Sequence, residues 1–411
     1  MKIWIVNPYG TLPSEGWREY RSAMLARALH KRGHEVVWWI ADFEHRSKKF
    51  RQAVSTDPLL PDGIEVRCLP TNAYSKHVGV GRIRFENRFG DEFAKAAIIE
   101  QRPDAIILAE PSLFFGIPVR KFAKKLDIPI IVDVIDLWPE LFHILLPGPL
   151  KSLGMLLFAP LYRRRKDLVK QAKGVAAVAG NYRDAAMAGQ TAKPTGVFYW
   201  GVDIGLFQAA KDKGDGPALF DTWPTEYDGL TVVYAGTLGA AYDIGTVCAA
   251  ARMLCEKSGS SVRFVFAGDG PLKPEVEKLA SDFPQQVAFV GSMTAEELIP
   301  YYLRSDVGLC SYAQGSTVSM PIKVFDYLAA GLAVASSLDG EIKTLVTAGC
   351  GVQYEAESAN SLAANLSSLA SDKQLTATMK AKARGLSVQF DIPHQYGLFA
   401  QFIEDATANV A

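Results

Sequence analysis

Short apolar runs alternate with amphipathic segments along the whole chain. Residues 3–6 have the continuous apolar character of a buried strand, and residues 20–31 then place apolar side chains at helical spacing. Gly33 and His34 interrupt this pattern before residues 35–40 form a second apolar run. A strand, a helix and a strand in this order predict a βαβ unit with parallel strands.

The alternation continues in two series. The first series predicts four further strands, at residues 104–108, 128–134, 174–178 and 196–199, and a helix at residues 119–126. The second series predicts five strands, at residues 230–234, 263–267, 287–290, 307–310 and 333–336. It also predicts three helices, at residues 247–256, 274–280 and 321–330. Residues 201–228 between the series are rich in glycine, proline and charge, which indicates a linker.

Two such series predict an α/β protein with two Rossmann-like, doubly wound parallel sheets. Residues 1–200 form the predicted N-terminal domain, 201–228 the linker and 229–390 the C-terminal domain. Residues 391–411 are predicted to form a helix that packs back on the N-terminal domain. Ligands of such sheets bind beyond the carboxyl ends of the strands, so we expect the active site in a cleft between the two domains.

The composition is that of a globular protein. The chain has 411 residues, 49% of them hydrophobic, with 44 basic and 44 acidic residues. A formal charge of zero gives no bulk attraction to nucleic acid, so nucleic acid is not expected as a partner. The five cysteines are odd in number and form no C-x-x-C pair, which argues against a disulfide framework or a zinc site. No apolar run reaches the ~20 residues that span a bilayer, so a cytoplasmic location is predicted.

Glycines follow several strands of the second series. Gly236 and Gly239 flank Thr237 after one strand, Gly268 follows the next, and Gly291 follows a third. Glycine allows a ligand to approach the backbone closely and leaves N–H groups to hold phosphate. A single glycine here is more commonly a simple turn, but three in one sheet favour a shared ligand site.

The segment 319–331 combines opposite charges on one predicted helix. Lys323 and Asp326 are three residues apart and therefore share a helix face. A cation beside phosphates and a carboxylate beside sugar hydroxyls would form a nucleotide site. The alternative is a surface ion pair on a solvated helix.

In order and spacing, these segments resemble glycosyltransferase family 4, whose members have the GT-B architecture. The resemblance runs from residue 3 to about residue 352. It is carried by residues 25–29, 32–36, 201–203, 234–239, 267–271, 321–331, 340–341 and 349–352. Residues 133–140, DVIDLWPE, are similar to the branch of this family that builds bacterial surface polysaccharides, often on lipid-linked sugars.

The resemblance implies a retaining transfer from a UDP- or GDP-linked hexose or N-acetylhexosamine to a glycan or polyprenyl-linked acceptor. Asp326 would hold the nucleotide ribose and Lys323 would face the donor phosphates. The full set of donor-binding residues that it implies is Gly16, Gly236, Thr237, Gly239, Gly268, Lys323 and Asp326.

Two carboxylates near the end of a first-domain strand are the catalytic candidates. Asp133 and Asp136 are expected to face the active site. Asp136 would orient the acceptor or the donor sugar, with a helix N-cap as the alternative. Val318 stands where the family has the first glutamate of its E-x7-E motif. Two alternatives therefore stay open: a non-catalytic nucleotide-sugar-binding protein and a GT-B nucleotide-sugar epimerase. No Asp-x-Asp triplet occurs, which predicts a site without metal, and no cofactor is expected.

One stretch suggests a membrane surface. Residues 150–162 are largely apolar and precede a basic cluster of Arg163, Arg164, Arg165 and Lys166, and residues 46–51 are basic as well. This pattern predicts peripheral contact with the inner face of the cell membrane. The alternative is a core-packed helix with a solvated basic end.

Overall fold

The structure, a computed structural model, describes residues 1–16, 21–52, 54, 57–76, 79–146, 150, 153–214, 227–259 and 261–408. The chain forms two compact units. The first comprises Met1–Trp200 with Pro393–Ala411, and the second comprises Gly201–Ile392.

The first unit is built on a parallel sheet of seven strands. Its strands are β1 (Lys2–Val6), β2 (Glu35–Ala41), β5 (Ile64–Leu69), β6 (Ala105–Glu110), β7 (Ile130–Val134), β8 (Gly174–Ala177) and β9 (Thr195–Val197). A small antiparallel hairpin outside this sheet consists of β3 (Phe43–Glu44) and β4 (Lys49–Phe50). The order in the sheet is β5-β2-β1-β6-β7-β8-β9. The strands cross over through α1 (Arg21–Lys31), α2 (Val80–Ala96), α3 (Gly116–Lys125), α4 (Gly154–Leu157), α5 (Ala159–Gln171) and α6 (Gly180–Met187).

Aromatic side chains fill the space beside this sheet. Trp4 on β1 and Trp39 on β2 are fully buried, with ring centroids 4.9 Å apart. Phe93 of α2 packs edge-on against both rings, and Phe122 of α3 stacks on Trp4 at 5.6 Å. Burying such rings is worth about 2–3 kcal/mol each, which fixes the helices against the sheet.

The second unit repeats this arrangement with a parallel sheet of six strands. Its strands are β10 (Leu230–Ala235), β11 (Val262–Ala267), β12 (Val287–Phe289), β13 (Val307–Cys310), β14 (Ala333–Ser336) and β15 (Gly351–Gln353), in the order β12-β11-β10-β13-β14-β15. Its helices are α7 (Ile204–Lys213), α8 (Ile244–Glu256), α9 (Lys273–Asp282), α10 (Ala295–Leu303), α11 (Lys323–Ala330), α12 (Ile342–Leu345), α13 (Ala359–Ser371) and α14 (Lys373–Ser387).

The last helix, α15 (Ile392–Ala408), packs on the first unit. Phe399 stacks on Phe198, with ring centroids 4.7 Å apart. Glu404 binds Arg32 at 2.6 Å and His34 at 2.8 Å, and these bonds lower the pKa of the Glu404 carboxyl to about 2.

The predicted α/β fold with two Rossmann-like parallel sheets is confirmed. The prediction of a linker over residues 201–228 is wrong at its start, because residues 204–213 form α7. The Asp203 side chain accepts a hydrogen bond from Leu206 N–H at 3.3 Å, and Gly214 ends the helix with a φ of 71°. Residues 215–226 of the predicted linker, and Tyr20 at the start of the predicted first helix, lie outside the described residues. No described helix is long and apolar enough to cross a membrane.

Candidate functional site

Two glycine loops follow the carboxyl ends of β10 and β11 in the second unit. Gly268 has a φ of 144°, and a Cβ atom there would lie 1.8 Å from the Gly236 carbonyl oxygen. A Cβ atom on Gly270 would lie 2.4 Å from the carbonyl oxygen of Leu238. Only glycine fits at Gly268 and Gly270, because the two loops touch through their backbones.

The amides of these loops largely bind one another. Gly236 N–H donates to Ala267 O at 3.0 Å, and Gly268 N–H donates to Gly291 O at 2.7 Å. The expectation that the glycine amides are free for phosphate is therefore wrong for Gly236 and Gly268. For Thr237 and Gly239, no acceptor of the backbone N–H is found in the described part of the chain. The glycines mainly allow close packing, and two amides are left for a ligand.

Lys323, the first residue of α11, lies directly behind the first glycine loop. A Cβ atom on Gly236 would lie 2.8 Å from its Nζ. That Nζ is buried, lies 4.2 Å from the Tyr234 ring centroid, and has no hydrogen-bond partner within the described ranges. Burial lowers the pKa of Lys323 to about 8. The alternative of a surface ion pair on a solvated helix is wrong, because this ammonium group is buried and has no partner among the described residues.

A buried ammonium group without an anion is unfavourable, and an incoming anion relieves that cost. The ring of Tyr242 lies 5.5 Å from Nζ and that of Tyr312 lies 5.8 Å away, so aromatic faces supply part of the solvation that water would give. Asp326, in the first turn of the same helix, is 7% exposed. The second unit therefore places a cation, a carboxylate and open amides near the carboxyl ends of its parallel strands.

The first unit contains a separate polar cavity of about 360 Å³. It lies beyond the carboxyl ends of β1, β6 and β7. Its lining mixes hydroxyl, amide, guanidinium, carboxyl and aromatic groups from Asn7, Tyr9, Gly10, Thr11, Arg21, Ser22, His45, Arg46, Arg82, Ala109, Glu110, Pro111, Ile135, Asp136 and Trp200.

Asp136 lines this cavity, as the sequence predicts for a residue near a strand end. Its carboxylate accepts hydrogen bonds from Leu137 N–H and from Trp138 Nε1, both at 3.1 Å. Burial raises the pKa of Asp136. Asp136 therefore both caps the following turn and lines the cavity.

Asp133 is bound elsewhere. Both of its oxygens accept from Arg21 Nε at 2.8 Å, and both side chains are almost fully buried. The guanidinium group also donates to Phe198 O and lies 4.7 Å from the Phe399 ring centroid. Asp133 forms a buried ion pair with Arg21 and is absent from the cavity lining, and its expected catalytic role stays a prediction.

Gly16 ends a short turn with a φ of 72°, and its N–H donates to Pro13 O at 3.3 Å. It is exposed and is not part of the cavity lining. The positive φ explains the glycine, whereas contact with a donor stays a prediction.

Sequence reasoning missed Glu110, the last residue of β6. One oxygen of its carboxyl group, Oε2, accepts from Ser112 N–H at 2.8 Å and from the Ser112 hydroxyl. The other oxygen, Oε1, is buried and lacks a hydrogen-bond partner among the residues described. Burial raises the pKa of Glu110 to about 7.

A second buried network behind the cavity was also missed. Tyr9 O–H donates to Glu86 Oε1 at 2.5 Å, and Arg82 Nε donates to Tyr9 at 2.9 Å. The Arg82 guanidinium lies 4.1 Å from the Trp138 ring centroid. The signal was present in the sequence, because Arg82 and Glu86 are four residues apart on an amphipathic segment with Phe85 and Phe89.

The predicted membrane segment is only partly as expected. Met155, Leu156 and Leu157 are 68%, 75% and 53% exposed. Arg165, however, is buried and binds Glu140 through two hydrogen bonds of 2.7 and 2.6 Å. Arg164 donates to Leu113 O at 3.2 Å. The expected basic cluster thus reduces to two exposed side chains, Arg163 and Lys166. Lys151 and Ser152 lie outside the described residues.

The basic residues at 46–51 are also partly structural. Arg51 binds Glu15 at 2.5 Å and donates to the carbonyl oxygens of Ala41 and Gly10. In the described ranges, no three His, Cys, Asp or Glu side chains are grouped so that they could hold a metal ion.

Family models match both units. A model described as a glycosyl transferase 4-like domain matches residues 19–197, and one described as glycosyl transferases group 1 matches residues 229–372. Together they cover more than three quarters of the chain. The chain therefore belongs to the glycosyltransferases of the GT-B fold.

Solved structures agree with this fold. Sucrose-phosphate synthase from Thermosynechococcus elongatus matches with a TM-score of 0.72 and 16% identity over 99% of both chains. HepE of Anabaena in complex with UDP matches with a TM-score of 0.66 and 15% identity, over 98% of this chain and 100% of that chain. Trehalose-6-phosphate synthase from E. coli, bound with UDP-2-fluoro glucose, matches with a TM-score of 0.70 and 14% identity over 99% of both chains. None of the curated proteins matches the chain.

Proposed function

We propose that this glycosyltransferase transfers a hexose or N-acetylhexosamine, with retention, from a UDP- or GDP-linked donor. The observation that carries the proposal is the buried Lys323 ammonium behind the Gly236 loop, for which the described part of the chain offers no hydrogen-bond partner. A diphosphate would supply the missing anion, and the amides of Thr237 and Gly239 would add hydrogen-bond donors. Two similar structures hold UDP and UDP-2-fluoro glucose, which favours a uridine donor.

We assign the acceptor to the polar cavity of the first unit. Asp136 would orient the acceptor there, and Asp326 in the second unit would hold the donor ribose. The acceptor class that we propose is a glycan or a polyprenyl-linked saccharide in surface polysaccharide synthesis, as the similarity of residues 133–140 implies.

The test combines binding with product analysis. Calorimetry with UDP, GDP and their sugars measures donor binding, and turnover with lipid-linked saccharides measures transfer. Donor conversion without an acceptor into an isomeric nucleotide sugar would favour the epimerase alternative. Donor binding without any conversion would favour the non-catalytic alternative, for which Val318 is the supporting feature.

We also propose that transfer needs no metal ion. Lys323 and the two open amides would stabilise the charge of the leaving diphosphate, the task that a divalent cation performs in other transferases. Activity is expected to persist in excess EDTA. Complete loss of activity that magnesium or manganese restores would contradict this model.

Membrane contact through α4 is the final part of the proposal. Met155, Leu156 and Leu157 form an exposed apolar patch, and Arg163 and Lys166 are exposed on the next helix. Each basic residue near an anionic surface contributes ~1 kcal/mol, which salt weakens. We expect reversible binding to vesicles that contain phosphatidylglycerol.

Flotation of the full chain with these vesicles tests the patch. Replacing Met155, Leu156 and Leu157 with serine should reduce flotation strongly. Serine at Ile98 and Ile99, which are 76% and 87% exposed in the same unit, is the matched control and should leave it unchanged. Equal flotation of both variants, or no flotation of the wild type at low salt, would contradict membrane contact.

A further inference from the structure

We propose that Glu110 binds a hydroxyl group of a neutral pyranose in the cavity of the first unit, with Oε1 as the acceptor of the hydrogen bond. The inference rests on the proposed function, since it names the chemistry that the acceptor presents. It adds a binding residue to a cavity whose lining contains only Asp136 among the site residues that the sequence predicts.

The cavity has the chemistry of a carbohydrate site. A volume of about 360 Å³ accommodates a sugar ring, and Tyr9 and Trp200 supply aromatic surface beside polar groups. Two of the guanidinium groups that line it are already paired with carboxylates. Arg21 is paired with Asp133, and Arg82 lies 3.4 Å from Glu86. A neutral, hydroxyl-rich ligand suits this balance better than a strongly charged one.

Glu110 has one oxygen occupied and one left over. Ser112 donates twice to Oε2, and these two bonds hold the carboxyl group in one orientation. Oε1 has no partner in the described part of the structure, although Glu110 is only 1% exposed and lines the cavity. A buried acceptor without a donor is costly, and a ligand hydroxyl removes that cost.

Protonation of Glu110 gives this contact a pH dependence. Its pKa is raised by burial to about 7, so the carboxyl group is largely neutral in mildly acidic solution. A hydroxyl that donates to Oε1 favours the ionised form. Pyranose affinity should therefore rise with pH and level off above the pKa of the free protein.

Other titratable or charged groups face the same space, and their effects on the pH dependence must be distinguished from that of Glu110. They come from the β1 loop, α1, the β3–β4 hairpin, α2, the segment after β7, and α5, and they are Tyr9, Arg21, His45, Arg46, Arg82, Glu86, Asp136 and Arg165. Histidine is the residue type that ordinarily titrates near neutral pH, and His45 is the histidine in the cavity lining. A His45→Gln variant is therefore the matched control.

The experiment measures pyranose binding directly in the full chain with UDP in excess. Saturation-transfer NMR is recorded with the methyl glycosides of glucose, galactose and mannose, and with N-acetylglucosamine. Binding of at least one of them should strengthen roughly tenfold from about pH 6 to about pH 8, as Glu110 ionises. Glu110→Gln retains an acceptor for Ser112 but should bind at least about tenfold more weakly at pH 8, without pH dependence.

The outcomes separate this inference from the donor proposal. The His45→Gln variant should keep the pH dependence that Glu110→Gln loses. A pyranose affinity that does not change with pH in the wild type, equal binding by Glu110→Gln at pH 8, or no signal from any pyranose overturns the role of Glu110. Calorimetry with UDP on the same protein preparations, before UDP is added for the NMR measurement, reports on Lys323 and its loop, so failure of donor binding is seen independently.

Discussion

Replacing Lys323 with methionine should have opposite effects on the ligand-free protein and on its complex with UDP. The ammonium group is buried behind Gly236 with aromatic rings around it, and methionine fills a similar volume without charge. The pKa of Lys323 falls from 10.5 to about 8, which corresponds to about 3 kcal/mol of unfavourable free energy for the charged form. Removing the charge should therefore leave the unliganded protein at least as stable as the wild type.

UDP binding should weaken in the same variant. A hydrogen bond between a buried ammonium and a phosphate contributes about 1.5–3 kcal/mol, so the Kd for UDP should increase roughly 10- to 100-fold. Isothermal calorimetry measures the affinity and differential scanning calorimetry measures the stability. Lys343→Met, at a half-exposed lysine that binds Asp339, is the control and should change neither quantity appreciably.

The pH dependence gives an independent check. UDP binds the protonated lysine, so affinity should fall as the pH rises above about 8. The stability of the ligand-free protein should change in the other direction. Because the folded pKa lies below the unfolded one, the unfavourable contribution is present below pH 8 and disappears as the pH rises towards 10.5. Cys310, beside the lysine, has a pKa raised to about 12 by burial and does not titrate in this window. Equal UDP affinity of Lys323→Met and the wild type would refute the reasoning.

Three further predictions address the other residues. Asp326→Asn should weaken UDP binding by about tenfold and leave the fold intact, and an unchanged Kd in calorimetry would reject the ribose contact. Gly268→Ala should destabilise the protein by at least about 3 kcal/mol, because its Cβ would lie 1.8 Å from Gly236 O. Gly239→Ala, whose Cβ meets only the Thr237 methyl at 3.8 Å, is the control and should change the stability little. Equal melting temperatures of the two variants would contradict this prediction. Asp133→Asn should lower the free energy of unfolding by about 3–5 kcal/mol, because it leaves Arg21 buried without a counter-charge. Asp136→Asn should instead lower turnover with little change in melting temperature. The reverse pattern would favour Asp133 as the catalytic residue.

The strands were predictable because parallel strands that are covered on both faces must be continuous apolar runs. Residues 307–310 and 333–336 form strands with the predicted bounds. The short strand β15 was not predicted because Val352 is its only large apolar residue, and helix α7 was not predicted because its lysine-rich end looks like a linker.

The site was less predictable because burial of charge depends on distant partners. The position of Asp133 at the end of β7 gave no indication that Arg21, 112 residues earlier in the chain, would take both of its oxygens. Glu110 ends an apolar run without any motif, and its significance arises only when Ser112 occupies one oxygen and the cavity adjoins the other. Lys323 was found because its residue type and spacing were informative without knowledge of the fold.

The placement of α15 determines the order in which the protein can mature during synthesis. Phe399 and Glu404 complete the packing around Phe198, Arg21 and Arg32, which were translated some two hundred residues or more before them. The second unit lies between these two parts in the chain, so all of its residues are made before the first unit receives its last helix. A released chain that is truncated after residue 392 should therefore resist protease in its second unit and be cleaved in its first.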